Sequence, residues 1–178
     1  MSAVEPIKDK KSIAKIEKDL LKTNYRNYAL FCLGINSGLR ISDILNLNVE
    51  DVKDKNFIQI TEQKTGKFKK FPLNSKIKKI IQIMTKNRTQ QEPLFKTKYN
   101  KRMNRFAAYE IIKNACSKLE INAGTHTLRK TFGYHHYKKF KDIVLLQKIF
   151  NHSNSATTLR YIGIEQDEIN FSYMNFIL

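Results

Sequence analysis

All four histidines of this chain, His126, His135, His136 and His152, fall within residues 126–161, and Tyr161 follows the last by nine positions. Histidines gathered in this way can make a metal site, an acid–base centre or a wet surface. The metal reading fails on spacing: there is no HExxH pattern, no pair of metal-spaced cysteines and no third ligand at a usual interval. His135 and His136 therefore read as core-edge or solvated side chains. His126 and Arg129, three apart, share a helix face near its N-terminal end, where free N–H groups and the helix dipole suit an anion. Arg40 follows a Ser37-Gly38 turn with Asp43 three residues on; a local ion pair could aim it at an anion, although taken alone it reads as a surface arginine. With Lys64, His152 and Tyr161 these residues suffice for phosphoryl transfer. Two arginines can neutralise the charge that grows on a phosphodiester under attack. A tyrosine hydroxyl, free pKa ~10, can attack phosphorus once a base or a strong positive field helps remove its proton. Lysine or histidine can protonate the departing 5′ oxygen. This chemistry requires neither metal nor cofactor.

The overall charge names the partner class. A formal +17 from 33 Lys and Arg against 16 Asp and Glu exceeds what solubility needs and points to a polyanion. It is unevenly placed: residues 53–102 hold 15 Lys and Arg against three acids, while the chain after Tyr161 has no Lys or Arg and three acids, Glu165, Asp167 and Glu168. The middle reads as a phosphate-facing surface and the tail as a segment that meets protein. No apolar run approaches the roughly 18–20 residues of a membrane span, and the N-terminus lacks a signal-peptide core. Cys32 and Cys116 sit in apolar helical patterns, as reduced core residues of a cytoplasmic protein do.

The elements that must position these groups are mostly helices. Apolar residues at spacings of three and four mark helices over 12–23 (Ser12 as cap), 24–36, a short one after Arg40, 75–87, 101–119, 126–139, 142–150 and one ending at Gly163. The 101–119 pattern buries Phe106, Tyr109, Ile112 and Cys116 and turns Lys101, Arg102 and Arg105 outward. The 142–150 stretch is apolar enough to be mostly buried. Residues 57–72 change to a period of two, giving an antiparallel hairpin with Thr65-Gly66 at its tip. Lys64, Lys67, Lys69 and Lys70 crowd that tip and its exit as a finger for a phosphate backbone, with solvation the plainer reading of any one of them. The expected fold is mainly α with a small β-hairpin (α+β). Residues 1–11 form a flexible segment, 12–178 one domain, and 164–178 an apolar tail (Ile169, Phe171, Tyr173, Met174, Phe176, Ile177, Leu178) for packing in cis or into another subunit.

"SGLRISDIL" around Arg40, "QKTGK" with Lys64, "HTLRKTF" with His126 and Arg129, and "NHSNSATTLRYI" with His152 and Tyr161 together resemble, in order, the tyrosine recombinase (phage integrase) family. Each piece is weak alone; in this order and spacing they are specific, from about residue 12 to the end. The resemblance implies that family's catalytic-domain fold. It implies that Arg40, Arg129 and His152 hold the scissile phosphate, Lys64 is the general acid, His126 assists proton transfer, and Tyr161 forms a covalent 3′-phosphotyrosyl link. Asp43 resembles the family's acidic support for its first arginine. It further implies action on double-stranded DNA as four subunits that exchange C-terminal segments, in a cytoplasmic, nucleoid-associated protein.

Family members generally carry an N-terminal core-binding domain, whereas about eleven residues precede the matched region here. The likeness is thus to short, catalytic-domain-only recombinases, whose site choice would lean on their own basic surface and on an accessory DNA-binding protein. "NH" at Asn151-His152 replaces the more familiar "GH". Competing readings are a type IB topoisomerase, which relaxes supercoils by similar chemistry, an inactive DNA-binding relative, and a basic helical domain that binds RNA.

Overall fold

A computed structural model of the chain describes residues 4–177, with nothing said of the Glu165 side chain. Helix α1 (Lys10–Thr23) starts two residues before the expected Ser12, because Asp9 is the cap: its carboxylate accepts from the N–H groups of Lys11 and Ser12. Helix α2 (Tyr25–Ser37) is capped by Asn24 and stopped by Gly38, whose φ of 62° is the left-handed turn that glycine adopts freely. Helix α3 (Ile41–Asn46) follows, with Arg40 at its N-cap position, and then a 3₁₀ turn (Val49–Asp51).

Strands β1 (Phe57–Thr61) and β2 (Phe68–Pro72) form the expected antiparallel hairpin, with Ile58 opposite Phe71 and Ile60 opposite Lys69. After it come α4 (Ser75–Thr85), α5 (Arg105–Ser117), α6 (Thr127–Phe140), α7 (Ile143–Phe150), α8 (Ser155–Ile162) and α9 (Glu165–Asn175). A mainly helical fold with one small antiparallel sheet is what the periodicities required.

Three expectations of detail change. Helix α5 begins at Arg105, with Asn104 capping Ala107 N–H, so Lys101 and Arg102 precede it. Its buried line is Ala108, Ile112 and Cys116, and Phe106, about 200° round the helix from Ala108, is exposed. In α7 only Leu146 and Phe150 are buried, whereas Val144 and Leu145 face out. Nor is the N-terminal segment loose from residue 4 on. Ile7 is buried, its N–H donates to Thr131 Oγ1 (2.9 Å), its carbonyl lies 2.9 Å from His135 Nε2, and Lys8 pairs with Asp167 (2.7 Å).

Burial divides into two clusters. The larger, with Leu30, Phe31, Ile44, Ile58, Ile112 and Leu128, lies among α1–α5, the hairpin and the start of α6. The smaller, Leu146, Phe150, Ile162 and Ile164, lies under α6–α8. Helix α6 runs from one to the other, contributing Leu128 to the first and Phe132 to the second. It approaches α7 and α8 closely at Gly133, where a Cβ would lie 2.6 Å from Ile162 and 2.8 Å from Phe150. The predicted site residues gather where these two clusters meet.

Candidate active site

Arg129, on the first turn of α6, is buried and bridges the clusters. Its Nη1 donates to Gly38 O (2.6 Å) at the end of α2, and its Nη2 donates to Phe150 O (2.9 Å) at the end of α7. The guanidinium also stacks over the Phe150 ring, 4.3 Å from its centre. Both carbonyls are helix-end acceptors that lack intrahelical partners, so the arginine satisfies them while its orientation is fixed.

Arg40 Nη1 lies 2.9 Å from Glu62 Oε2. The expected pairing with Asp43 is thereby corrected: Asp43 is buried but accepts from the Gln63 N–H (3.0 Å), anchoring the hairpin backbone and not the arginine. Glu62 has no exposed surface and also accepts from Thr65 Oγ1 (2.7 Å) and Asn151 Nδ2 (3.0 Å). Burial pushes its carboxyl up, yet the hydrogen bonds from Thr65 and Asn151 and the Arg40 guanidinium beside it outweigh this and hold it below the usual carboxylate range.

The hairpin turn that carries Lys64 is closed by Glu62 N–H to Lys67 O (3.0 Å) and Gly66 N–H to Glu62 O (2.9 Å), with Gly66 at φ 64°. Lys64 thereby borders an open cleft of about 450 Å³, together with Arg40, Ser42, Arg105, His126 and Arg129.

Tyr161 sits on α8, which Asn154 caps and Gly163 ends. Its hydroxyl lies 3.3 Å from His126 Nδ1, and its ring meets His152 and Phe150 edge-on, with centres 5.2 and 5.7 Å apart. Lys130 Nζ lies 5.2 Å from the centre of the same ring. Burial raises the Tyr161 hydroxyl pKa above its ordinary value, against the opposing charges of Arg129 and Arg40. His126 and His152 are both lowered, first by burial and then by neighbouring cations, Arg129 in each case. At neutral pH the site therefore holds a phenol beside two neutral imidazoles. His152 Nδ1 is 3.0 Å from the hydroxyl of buried Thr158, three residues before the tyrosine on the same helix.

Four predicted residues, Arg40, Lys64, His126 and Arg129, thus line one cleft; Tyr161 joins through His126, and His152 through Tyr161. Arg105 lines it too, while Lys67, Lys70 and Lys101 are exposed nearby in sequence. Two of the expected DNA-facing cations have partners within the chain, Lys69 half-buried and Arg102 exposed. Lys69 turns inward, its amine donating to Ile149 O (2.9 Å). Arg102 donates to Leu45 O, Leu47 O and Asn48 Oδ1, closing carbonyls at the end of α3. Sequence reasoning misses Glu62 and Thr158 and meets Asn151 only as a departure from the more familiar "GH", although alternation in β1 (Ile58, Ile60, then 62) marks Glu62 as inward-facing. Among the described residues no group of three His, Cys, Asp or Glu side chains is placed to hold a metal ion.

The chain is similar to known proteins over nearly its whole length. A protein of Bacillus subtilis strain 168 called "Probable integrase/recombinase YoeC" is 46% identical over 180 residues, covering 99% of this chain and 98% of its own length. Tyrosine recombinase XerA of Pyrococcus horikoshii is 29% identical over 146 residues, 79% of this chain; the chain spans about half of that relative's length (51%). Among solved structures, XerH site-specific recombinase bound to a palindromic difH substrate superposes with a TM-score of 0.72 at 17% identity, over 97% of this chain and 54% of that one. Residues 8–168 match the model of the phage integrase family, and the chain belongs to that family.

Proposed function

We propose that the chain is a site-specific DNA recombinase that cuts and rejoins strands through a covalent link to Tyr161. The observation that carries this reading is the phenol 3.3 Å from His126 Nδ1, beside a cleft walled by Arg40, Lys64 and Arg129. In cleavage the Tyr161 oxygen bonds to phosphorus while the bond from phosphorus to the 5′ oxygen breaks. The phenolic proton passes to the neutral His126, and Lys64 gives a proton to the leaving oxygen. Arg40, Arg129 and His152 hold the non-bridging oxygens, where negative charge grows. Arg129 spends two N–H donors on carbonyls, and its rigid fork keeps the others for the phosphate. A free 5′-hydroxyl from a partner strand reverses the step, so the phosphodiester energy is retained in the tyrosyl link.

Double-stranded DNA is the substrate that the +17 charge and the basic residues around the cleft favour, and a DNA-acting protein works at the nucleoid. The exposed Phe171, Tyr173, Met174, Phe176 and Ile177 support self-association through residues 164–178 into the tetrameric assembly that strand exchange requires. An accessory DNA-binding protein would add site choice to the contacts that the chain's own basic surface makes.

The test is trapping on a nicked suicide duplex. Wild type should give a protein–DNA adduct that survives denaturation, and Tyr161→Phe should give none. Absence of any adduct on the DNA flanking its gene would remove the enzyme reading, and relaxed circles without recombinant products would move it to a topoisomerase.

A further inference from the structure

Glu62 is a fully buried carboxylate that touches three separate parts of the site through one oxygen. Its Oε2 meets Arg40 Nη1 (2.9 Å), the Thr65 hydroxyl in the Lys64 turn (2.7 Å) and Asn151 Nδ2, next to His152 (3.0 Å). The two backbone bonds that close the turn fix its shape but do not tie it to the body of the protein. That tie comes from Gln63 N–H to Asp43 and from the Glu62 carboxylate. Lys64 itself is exposed on a flexible stem, so its reach is set by where the turn sits.

Asn151 gives the same reading from the other side. Its φ of 54° is the left-handed conformation that ends α7, and glycine would supply that conformation alone. Asparagine tolerates it and adds an amide that reaches across to the hairpin.

We propose that Glu62 is a positioning residue, anchored by Asn151, that sets Lys64 against the leaving 5′ oxygen. The inference rests on Lys64 being the proton donor of the proposed function. The plainer alternative is that Glu62 serves only as the counter-charge of half-buried Arg40.

The two are separated by a suicide duplex whose bridging 5′ oxygen is replaced by sulfur. A thiolate leaves without being protonated, so a defect in proton donation disappears on sulfur, whereas a defect in holding the phosphate or in folding persists. As the reference, Lys64→Ala should lose on the order of 10²–10⁴-fold in adduct formation on oxygen and recover on sulfur. Thr65→Val keeps the Arg40–Glu62 pair and cuts the link to the turn, together with one longer contact inside the turn, from Lys67 N–H (3.4 Å). It should lose roughly tenfold on oxygen and less than about threefold on sulfur, as a partial loss of general-acid catalysis does. Glu62→Gln should show the same selective loss, larger in size. Asn151→Gly should show a smaller one that adds nothing in the Glu62→Gln background, as expected of one coupled unit. Equal slowing of Thr65→Val or Glu62→Gln on both substrates, or full activity of Thr65→Val on oxygen, overturns the proposal. If Lys64→Ala stays slow on sulfur, the assignment of Lys64 itself is wrong and the role given to Glu62 goes with it.

Discussion

Raising the pH from 7 to 9.5 should stabilise the folded chain through Lys69. Its side chain is 12% exposed, its amine donates to Ile149 O at 2.9 Å, and Glu62 Oε1 stands 4.0 Å away. Burial, with the charges of Arg129 and Arg40, outweighs Glu62 and Asp43 and brings its pKa from the ordinary 10.5 down to about 8. Between those values the unfolded chain binds the proton more than the folded one, so stability rises with pH in that window. The whole shift corresponds to ~3.4 kcal/mol, of which about 2 kcal/mol is recovered between pH 7 and 9.5. For a chain of this size that is roughly 4–8 °C in melting temperature. Cys32 and Cys116, raised by burial to about 12 and about 11, work in the opposite sense above their ordinary 9.0. The measurement is therefore urea unfolding of wild type against Lys69→Met at pH 7, 8, 9 and 9.5, because the difference cancels groups common to both. Wild type should gain on the variant across the window. A flat difference would refute the placement of a charged amine in that site.

Three further outcomes follow from the geometry. Gly133→Ala forces a Cβ against Ile162 and Phe150 and should cost about 1–3 kcal/mol in denaturant unfolding, as overpacking does. Arg129→Lys keeps the charge but a single ammonium cannot span Gly38 O and Phe150 O; adduct formation should fall at least about a hundredfold, read by gel after denaturation. With the pKa values of His126 and His152 lowered, both stay neutral as pH drops past the ordinary 6.5, so the acid limb of the cleavage rate should lie below that value; an inflection above it counts against His126 as proton acceptor.

Much of this arrangement could be read from residue order. Gly38 and Gly66 mark the turns that deliver Arg40 and Lys64, and both have positive φ. The period of two predicts the hairpin, and the nine-residue interval from His152 to Tyr161 is one of the matches that carry the family resemblance. What sequence reading missed depends on which face of an element meets the body. In β2, Phe71 faces inward, and the same alternation carries Lys69 inward, overriding the charge that suggested a DNA contact. Arg102 lies three residues before the helix that the basic run suggests for it, because the cap at Asn104 sets the start of α5. Glu62 carries no local signature as a hub; its partners come from positions 40, 65 and 151, and only the folded chain brings them to one oxygen.

Arg129 joins a carbonyl from each hydrophobic cluster and also faces the cleft, so cohesion of the protein and occupancy of the site share one side chain. An anion that binds there recognises only the joined clusters. By mass action it adds about 2.7 kcal/mol to the folded state at a concentration a hundredfold above its Kd. The melting temperature is therefore a direct gauge of occupancy, and DNA duplexes can be ranked as substrates by the heat the chain withstands in their presence.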